Sequence, residues 1–335
     1  MSDNNCEIRT RACPRCYLCG TQGKELYGGL SDRLFGAPGV WNLKQCPNPA
    51  CGLIWLDPMP KEEDIALAYR RYYTHQSEGA KKNIGIAAPA YRILLGVLAR
   101  ATGLIKEQRA IQTRYLGARA PGKLLDIGCG AGDYLALMRT LGWTVEGVEI
   151  DPAACRYARQ THGLAVHEGT VESRGYPENS FDAIVMNHVI EHVFDPVALL
   201  KECRRIIKPG GHVVVITPNT KSWGHRKFQE SWRGLEPPRH IHIFSPKTMK
   251  KCADLAGFEK VTAATTPANA YIIFMGSMDI QKDGTHGMIR ADKSNRGLMQ
   301  KIIRNSRVLQ YQLREYYLWK RNPGLGEEVV MICRK

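Results

Sequence analysis

The chain has 335 residues, 44% of them apolar, which allows two domains or one domain with additions, and no long stretch has a disordered composition. It lacks an uninterrupted apolar run of the roughly 18 residues a membrane helix needs, and it lacks a basic-then-apolar leader, so the expectation is a soluble, cytoplasmic protein. A formal charge of +15 points to an anionic partner, whether a phosphorylated or carrier-linked substrate, a lipid head group or RNA.

In chain order, the cysteines come first. Six of the eleven lie in the first 51 residues. In a reducing compartment such a cluster suggests metal rather than disulfides. Cys16-x-x-Cys19-Gly20 and Cys46-x4-Cys51-Gly52 form two pairs, each followed by a glycine that lets backbone amides turn towards sulfur. Tetrahedral zinc takes four thiolates, so Cys16, Cys19, Cys46 and Cys51 are the candidate ligands of a structural ion with no open position. The wide spacing of the second pair leaves Cys13 as an alternative ligand, and unpaired structural thiols are the plainer reading. Residues 1–60 are therefore expected to form a small zinc ribbon whose core is too small to fold alone.

A helical linker or cap is expected over 61–120, with helical patterns at Lys61–Tyr73 and over 90–118. Residues 81–123 hold nine Lys/Arg against the single acid Glu107. The amphipathic stretch 90–105 suits peripheral membrane contact, or more simply a helix capping an active site.

From Lys123 strands and helices alternate, which predicts a parallel sheet with crossover helices on both faces. Strands are expected at Lys123–Ile127, Thr144–Ile150, Ala165–His167, Phe181–Met186 and His212–Thr217. Helices fall between them at Tyr134–Leu141, Ala153–Gln160 and Pro196–Ile207. Ser245 with Pro246 opens a further helix that Gly257 stops. Phe258–Ala264 and Glu327–Cys333 read as the last strands. The domain reading is a core over 121–265, a helical insertion over 266–324 and a last core strand over 325–335. Residues 279–335 are again basic, with twelve Lys/Arg against six acids.

Leu124-Leu125-Asp126-Ile127-Gly128-Cys129-Gly130-Ala131-Gly132 joins the first core strand to its helix. Glycines here allow a tight turn and close approach of a ligand to the backbone. Asp126 can meet a cationic amino group, and Glu149, 19 residues past Gly130, can accept ribose hydroxyls. A dinucleotide fingerprint would continue to a third glycine, but the sequence has Asp133 at that position. An acid at a helix start repels phosphate, so a cofactor without phosphate fits better.

These motifs, D-I-G-C-G-A-G and V-E-G-V-E-I-D-P, resemble the class I methyltransferase core over 122–217. The resemblance implies a Rossmann-like seven-stranded α/β sheet with a reversed last hairpin, and S-adenosylmethionine as cofactor. It implies that Asp126, Gly128, Cys129, Gly130 and Gly132 line the amino acid moiety, while Glu149 with Ile150 holds the ribose. Asn187 and His188 would approach the methionine part. Thr170 stands where the family often has an adenine-contacting Asp.

On the acceptor side, Asn187-His188-Val189-Ile190-Glu191-His192 follows the fourth core strand, and Trp232-Arg233-Gly234-Leu235-Glu236-Pro237-Pro238-Arg239-His240-Ile241-His242 follows the fifth. His240 and His192 are the candidate bases for a hydroxyl acceptor. The plainer reading makes them loop-orienting groups, with His240 and His242 alternating on a short strand. Similar E-P-P-R-H-I-H patterns occur in methyltransferases of glycan and secondary biosynthesis. The leading expectation is methyl transfer to a small-molecule hydroxyl on a sugar or glycan intermediate. The alternatives are an RNA methyltransferase using ribbon and charge, and a non-catalytic cofactor-binding assembly protein. An Asn/Asp-Pro-Pro-aromatic motif for base nitrogens is absent.

Overall fold

The computed structural model describes residues 7–70, 104–284 and 298–335. The expectations for 71–103, including most of the amphipathic stretch 90–105, lie outside these residues. Contacts divide the chain into two units: residues 1–72, 186–205 and 215–335 form one, and residues 73–185 and 206–214 the other. Among the described residues no helix is long and apolar enough to cross a membrane.

The strands are β1 (Thr10–Arg11), β2 (Lys24–Leu30), β3 (Trp41–Gln45), β4 (Ile54–Leu56), β5 (Met59–Pro60), β6 (Lys123–Ile127), β7 (Thr144–Glu149), β8 (Val166–Glu168), β9 (Phe181–Asn187), β10 (Ile207–Pro218), β11 (His242–Ile243), β12 (Lys260–Thr266) and β13 (Glu328–Arg334). Seven of them form one sheet in the order β12-β13-β10-β9-β6-β7-β8. The pairs β6–β7 and β7–β8 are parallel, whereas β12 and β13 are antiparallel, with Lys260 opposite Arg334 and Thr266 opposite Glu328. The sheet order reverses around β6, which places the loop after β6 at a switch point where α/β sheets bind ligands.

The crossover helices start where local chemistry dictates. Asp151 caps the helix Pro152–His162, its Oδ1 accepting from Ala153 N at 2.8 Å, and Gly163 closes that helix at φ +59°. Ser245 caps Pro246–Leu255 in a capping box with Thr248. Over Lys61–Tyr73 the described chain forms a 3₁₀ helix, Glu62–Tyr69, rather than an α-helix. The patterned stretch ending at 118 contributes the α-helix Leu104–Gln112, ended by left-handed Arg114 and Tyr115. Within 266–324 lie the helices Ala270–Asp283 and Leu298–Arg321.

Among the N-terminal strands, β1 pairs with β5 in a sheet of two, and the other three belong to a further sheet, in the order β11-β4-β3-β2. Its last member, β11, comes from the histidine-rich loop, with His242 opposite Trp55 and Ile243 opposite Ile54. The ribbon core is likewise shared: Trp41, Leu43, Ile54 and Leu56 cluster with Phe228, Trp232, Leu235, Ile243 and Phe274. Burying each such side chain contributes about 1.5–3 kcal/mol, which a ribbon of this size could not gather by itself.

Candidate functional site

The glycine loop is a cradle held from below. Gly128, Gly130 and Gly132 all have positive φ, at +73°, +54° and +84°. Gly128 N and Cys129 N both donate to Val148 O, at 2.8 and 3.2 Å, anchoring the loop to β7. Glu149 Oε2 accepts from Gly130 N at 2.8 Å and its Oε1 from Asp151 N at 2.9 Å. The acid that the sequence places 19 residues away thus touches the loop itself.

The three glycines differ in role. A Cβ on Gly130 would meet nothing within 4 Å, whereas one on Gly132 would come within 2.5 Å of Leu164 Cδ1. Gly130 leaves an open face, and Gly132 lets the loop pack against Ala158 of the helix Pro152–His162 and against Leu164. The Cys129 sulfur lies where a Cβ on Gly147 would come within 2.6 Å, so the thiol fills core. Ile150 is 64% exposed beside Glu149, and Thr170 caps the short helix Val171–Arg174, accepting from Ser173 N at 3.2 Å.

Asp126 is buried, and burial pushes its carboxyl up to about 7, with Arg114 opposing and Glu149 adding to the shift. No described cation forms an ion pair with it. A buried carboxyl of this kind regains its charged form when an ammonium docks against it. The amino end of an amino acid cofactor fits this donor set.

The second cluster surrounds the turn Ile190–His192. His188, at φ +56°, is held by both ring nitrogens: Nδ1 lies 3.1 Å from Glu191 Oε1 and Nε2 2.8 Å from Glu328 Oε1. Burial opposes its charge, but the two carboxylates outweigh it and raise its pKa to about 10. With the ring so occupied, His188 has no nitrogen left for a ligand. Its neighbour does: Asn187 Oδ1 is buried with no hydrogen-bond partner among the described residues.

Glu191 is fully buried, accepting from Thr217 Oγ1 at 2.9 Å. Burial alone would raise its pKa, yet His188, with His192 and His240 adding, brings it to about 2. His240 Nδ1 lies 2.8 Å from Gly234 O, so that nitrogen carries a proton and donates to the carbonyl. Nε2 lies 4.0 Å from Glu191 Oε1 and 3.9 Å from Glu236 Oε2. His192 Nδ1 lies 3.0 Å from Arg239 O and 3.0 Å from Tyr69 OH, and its ring meets that of His240 edge-on at 4.8 Å. Burial, then His240, lowers His192 to about 4. The ligand atoms of Glu191, His192 and His240 fall within 4.8 Å of one another. His242, by contrast, is a strand residue with Nδ1 on Val193 O at 3.2 Å.

Sequence reasoning missed Asp32, Tyr69 and Glu328, whose roles arise only when distant segments meet. In the third cluster, Cys16, Cys19, Cys46 and Cys51 gather all four sulfurs within 4.8 Å. Cys16 and Cys51 are 3.6 Å apart, and Cys19 and Cys46 3.4 Å. Zinc–sulfur bonds of about 2.3 Å imply tetrahedral edges of roughly 3.8 Å, so the donor set fits the ion. Gly20 and Gly52, at φ +69° and +78°, make the turns that follow each pair. Cys13 stands outside the cluster, its sulfur 4.0 Å from that of Met59.

Residues 104–263 match the model of a family described as a methyltransferase domain. A ubiquinone biosynthesis O-methyltransferase of Thiobacillus denitrificans is 32% identical over 124 residues, covering 34% of this chain and 53% of that protein. The protein of the same name from Cereibacter sphaeroides is 38% identical over 130 residues, with 37% and 53% covered. The chain spans about half the length of the curated relatives it matches. A solved methyltransferase from Archaeoglobus fulgidus, described as dependent on S-adenosylmethionine, aligns with a TM-score of 0.45 at 19% identity, covering 73% of this chain and 100% of that one. The stretch 104–263 is thus similar to a methyltransferase domain.

Proposed function

We propose that this domain transfers a methyl group from S-adenosylmethionine to a hydroxyl of a small biosynthetic molecule, on a sugar, glycan-intermediate or aromatic ring. The observation that best supports the reading is the placement of His240: Nδ1 lies 2.8 Å from Gly234 O, and Nε2 lies 4.0 Å from Glu191 Oε1 and 3.9 Å from Glu236 Oε2. When bound, the cofactor supplies the methyl group of its sulfonium. Asp126 would hold its ammonium, the open face of Gly130 its backbone, and Glu149 with Ile150 its ribose. Asn187 would satisfy its orphaned oxygen there, and Thr170 would stand at the adenine side.

His240 Nε2 would take the acceptor's proton as the new oxygen–carbon bond forms and the sulfonium–carbon bond breaks, and Glu191 and Glu236 would stabilise the imidazolium. His192, neutral and edge-on to His240, would serve as its neighbour in that pocket. The curated relatives' names also speak of O-methyl transfer.

The ribbon, in this reading, holds one structural zinc through Cys16, Cys19, Cys46 and Cys51 and stiffens the acceptor loop. Its sheet is completed by His242–Ile243 from that loop, which suits a wall of the site better than a free RNA-binding module. The competing RNA reading draws on the +15 charge. Release of S-adenosylhomocysteine with a panel of hydroxylated rings and with structured RNA separates the two. Turnover on a small acceptor supports the proposal. RNA-only turnover with salt-sensitive RNA binding would replace it, and no turnover on any acceptor would favour an assembly role.

A further inference from the structure

One shallow surface groove lies beside the acceptor loop and has no part yet in the reaction. Leu30, Leu34, Trp232, Leu235, Pro237 and Ile280 give it apolar walls, and Ser31, Arg33, Arg233, Glu230 and Glu236 add polar groups. Its charges are unequally committed. Glu236 already accepts from Arg239 Nε at 2.9 Å, and Glu230 is exposed. Neither Arg33 nor Arg233 forms an ion pair with a described carboxylate. Arg233 Nε is buried without a hydrogen-bond partner among the described residues, and Arg33 has only a long contact to Glu230 O, 3.4 Å from its Nη1.

The root of Arg233 is fixed. Its backbone N donates to Ser277 Oγ at 3.0 Å, and the Trp232 indole before it donates to Glu327 Oε2 at 2.9 Å. A guanidinium on a rigid root with no carboxylate partner among the described residues is suited to a planar or tetrahedral oxyanion, which its two terminal nitrogens can clasp with two parallel bonds.

We propose that this groove is an anion subsite for the methyl acceptor: apolar walls receive the body of the molecule, and Arg233, with Arg33, clasps its carboxylate or phosphate. The inference rests on the methyl-transfer reading for the identity of the ligand. The link to the reaction is Glu236, which lines the groove and whose Oε2 is 3.9 Å from His240 Nε2.

The test is ligand-observed NMR titration of the full chain with phenyl phosphate, benzoate and uncharged benzyl alcohol, in wild type, Arg233→Gln and Arg33→Gln. At least one anion should bind the wild type, and which one does assigns the oxyanion. Its affinity should fall by tenfold or more in Arg233→Gln and by less in Arg33→Gln, with benzyl alcohol binding much more weakly throughout. S-adenosylhomocysteine titrated into the same samples should bind all three proteins equally. If Arg233→Gln fails to fold, the decrease in Arg33→Gln decides. No anion binding, equal anion binding in all three proteins, or equal binding of benzyl alcohol overturns the subsite. Loss of anion binding in Arg233→Gln, with no S-adenosylhomocysteine binding even by wild type, upholds the groove and overturns the cofactor reading instead.

Discussion

Arg239 and Asp32 form a bidentate ion pair with both side chains fully buried, Nη1 to Oδ2 at 2.8 Å and Nη2 to Oδ1 at 2.9 Å. Asp32 lies between β2 and β3 of the ribbon and also accepts from the backbone N of Leu34, Phe35 and Ala37. Arg239 directly precedes His240. A ribbon residue therefore fixes the segment that presents the candidate base.

Breaking that pair should be costly because it strands a buried charge. Asp32→Asn is expected to destabilise the protein by about 3–5 kcal/mol. Urea unfolding of wild type and variant measures this. A loss for Asp32→Asn within experimental error would show that the pair contributes nothing.

His240→Gln is expected to lower kcat by about 10²- to 10⁴-fold while leaving S-adenosylhomocysteine affinity unchanged. His192→Gln should have a smaller effect. Steady-state kinetics beside calorimetry separates chemistry from binding, and an unaffected kcat in His240→Gln would remove it as the base.

Two sets of histidines set opposite pH limits. His192 and His242 are lowered to about 4, chiefly by burial. Their folded values lie below the unfolded 6.5, so their stability contribution is present above pH 6.5 and is lost as pH falls towards 4. His188 is raised to about 10, so its contribution is complete below 6.5 and is lost as pH rises towards 10. Thermal melts across pH 4 to 10 should show stability declining in both directions from near 6.5, with the alkaline decline weakened in His188→Gln. An unchanged alkaline limb in that variant would contradict the His188 assignment.

The sequence was most informative where chemistry is local. The glycine loop, Asp126 and Glu149 lie on consecutive strand ends, so spacing alone brings them together, and helix caps such as Ser245 need only their next few residues. The cysteine pairs were legible for the same reason, although setting Cys13 aside as an alternative required the fold. What spacing could not reveal depends on long separations. The resemblance implies that His188 approaches the cofactor, and spacing gives no sign that its ring meets Glu328, 140 residues away. Arg239 is bound by Asp32, 207 residues away, which no local spacing indicates. The strand His242–Ile243 was readable only as a weak alternation, because its partner lies in the ribbon.

Metal analysis of the purified protein should find about one zinc per chain, absent from Cys16→Ser/Cys19→Ser. That double variant should also lose much of its cooperative unfolding, since the ribbon shares its core with Trp232 and Phe274. Zinc-free wild type with full stability would show that the four thiols need no ion.

The most direct measurement is calorimetric titration of wild type and Asp126→Ala with S-adenosylmethionine, S-adenosylhomocysteine and NAD. Wild type should bind the first two at micromolar concentration and not NAD, and Asp126→Ala should bind none. Binding of NAD, or unchanged S-adenosylmethionine affinity in Asp126→Ala, would contradict the cofactor assignment on which the proposed methyl transfer depends.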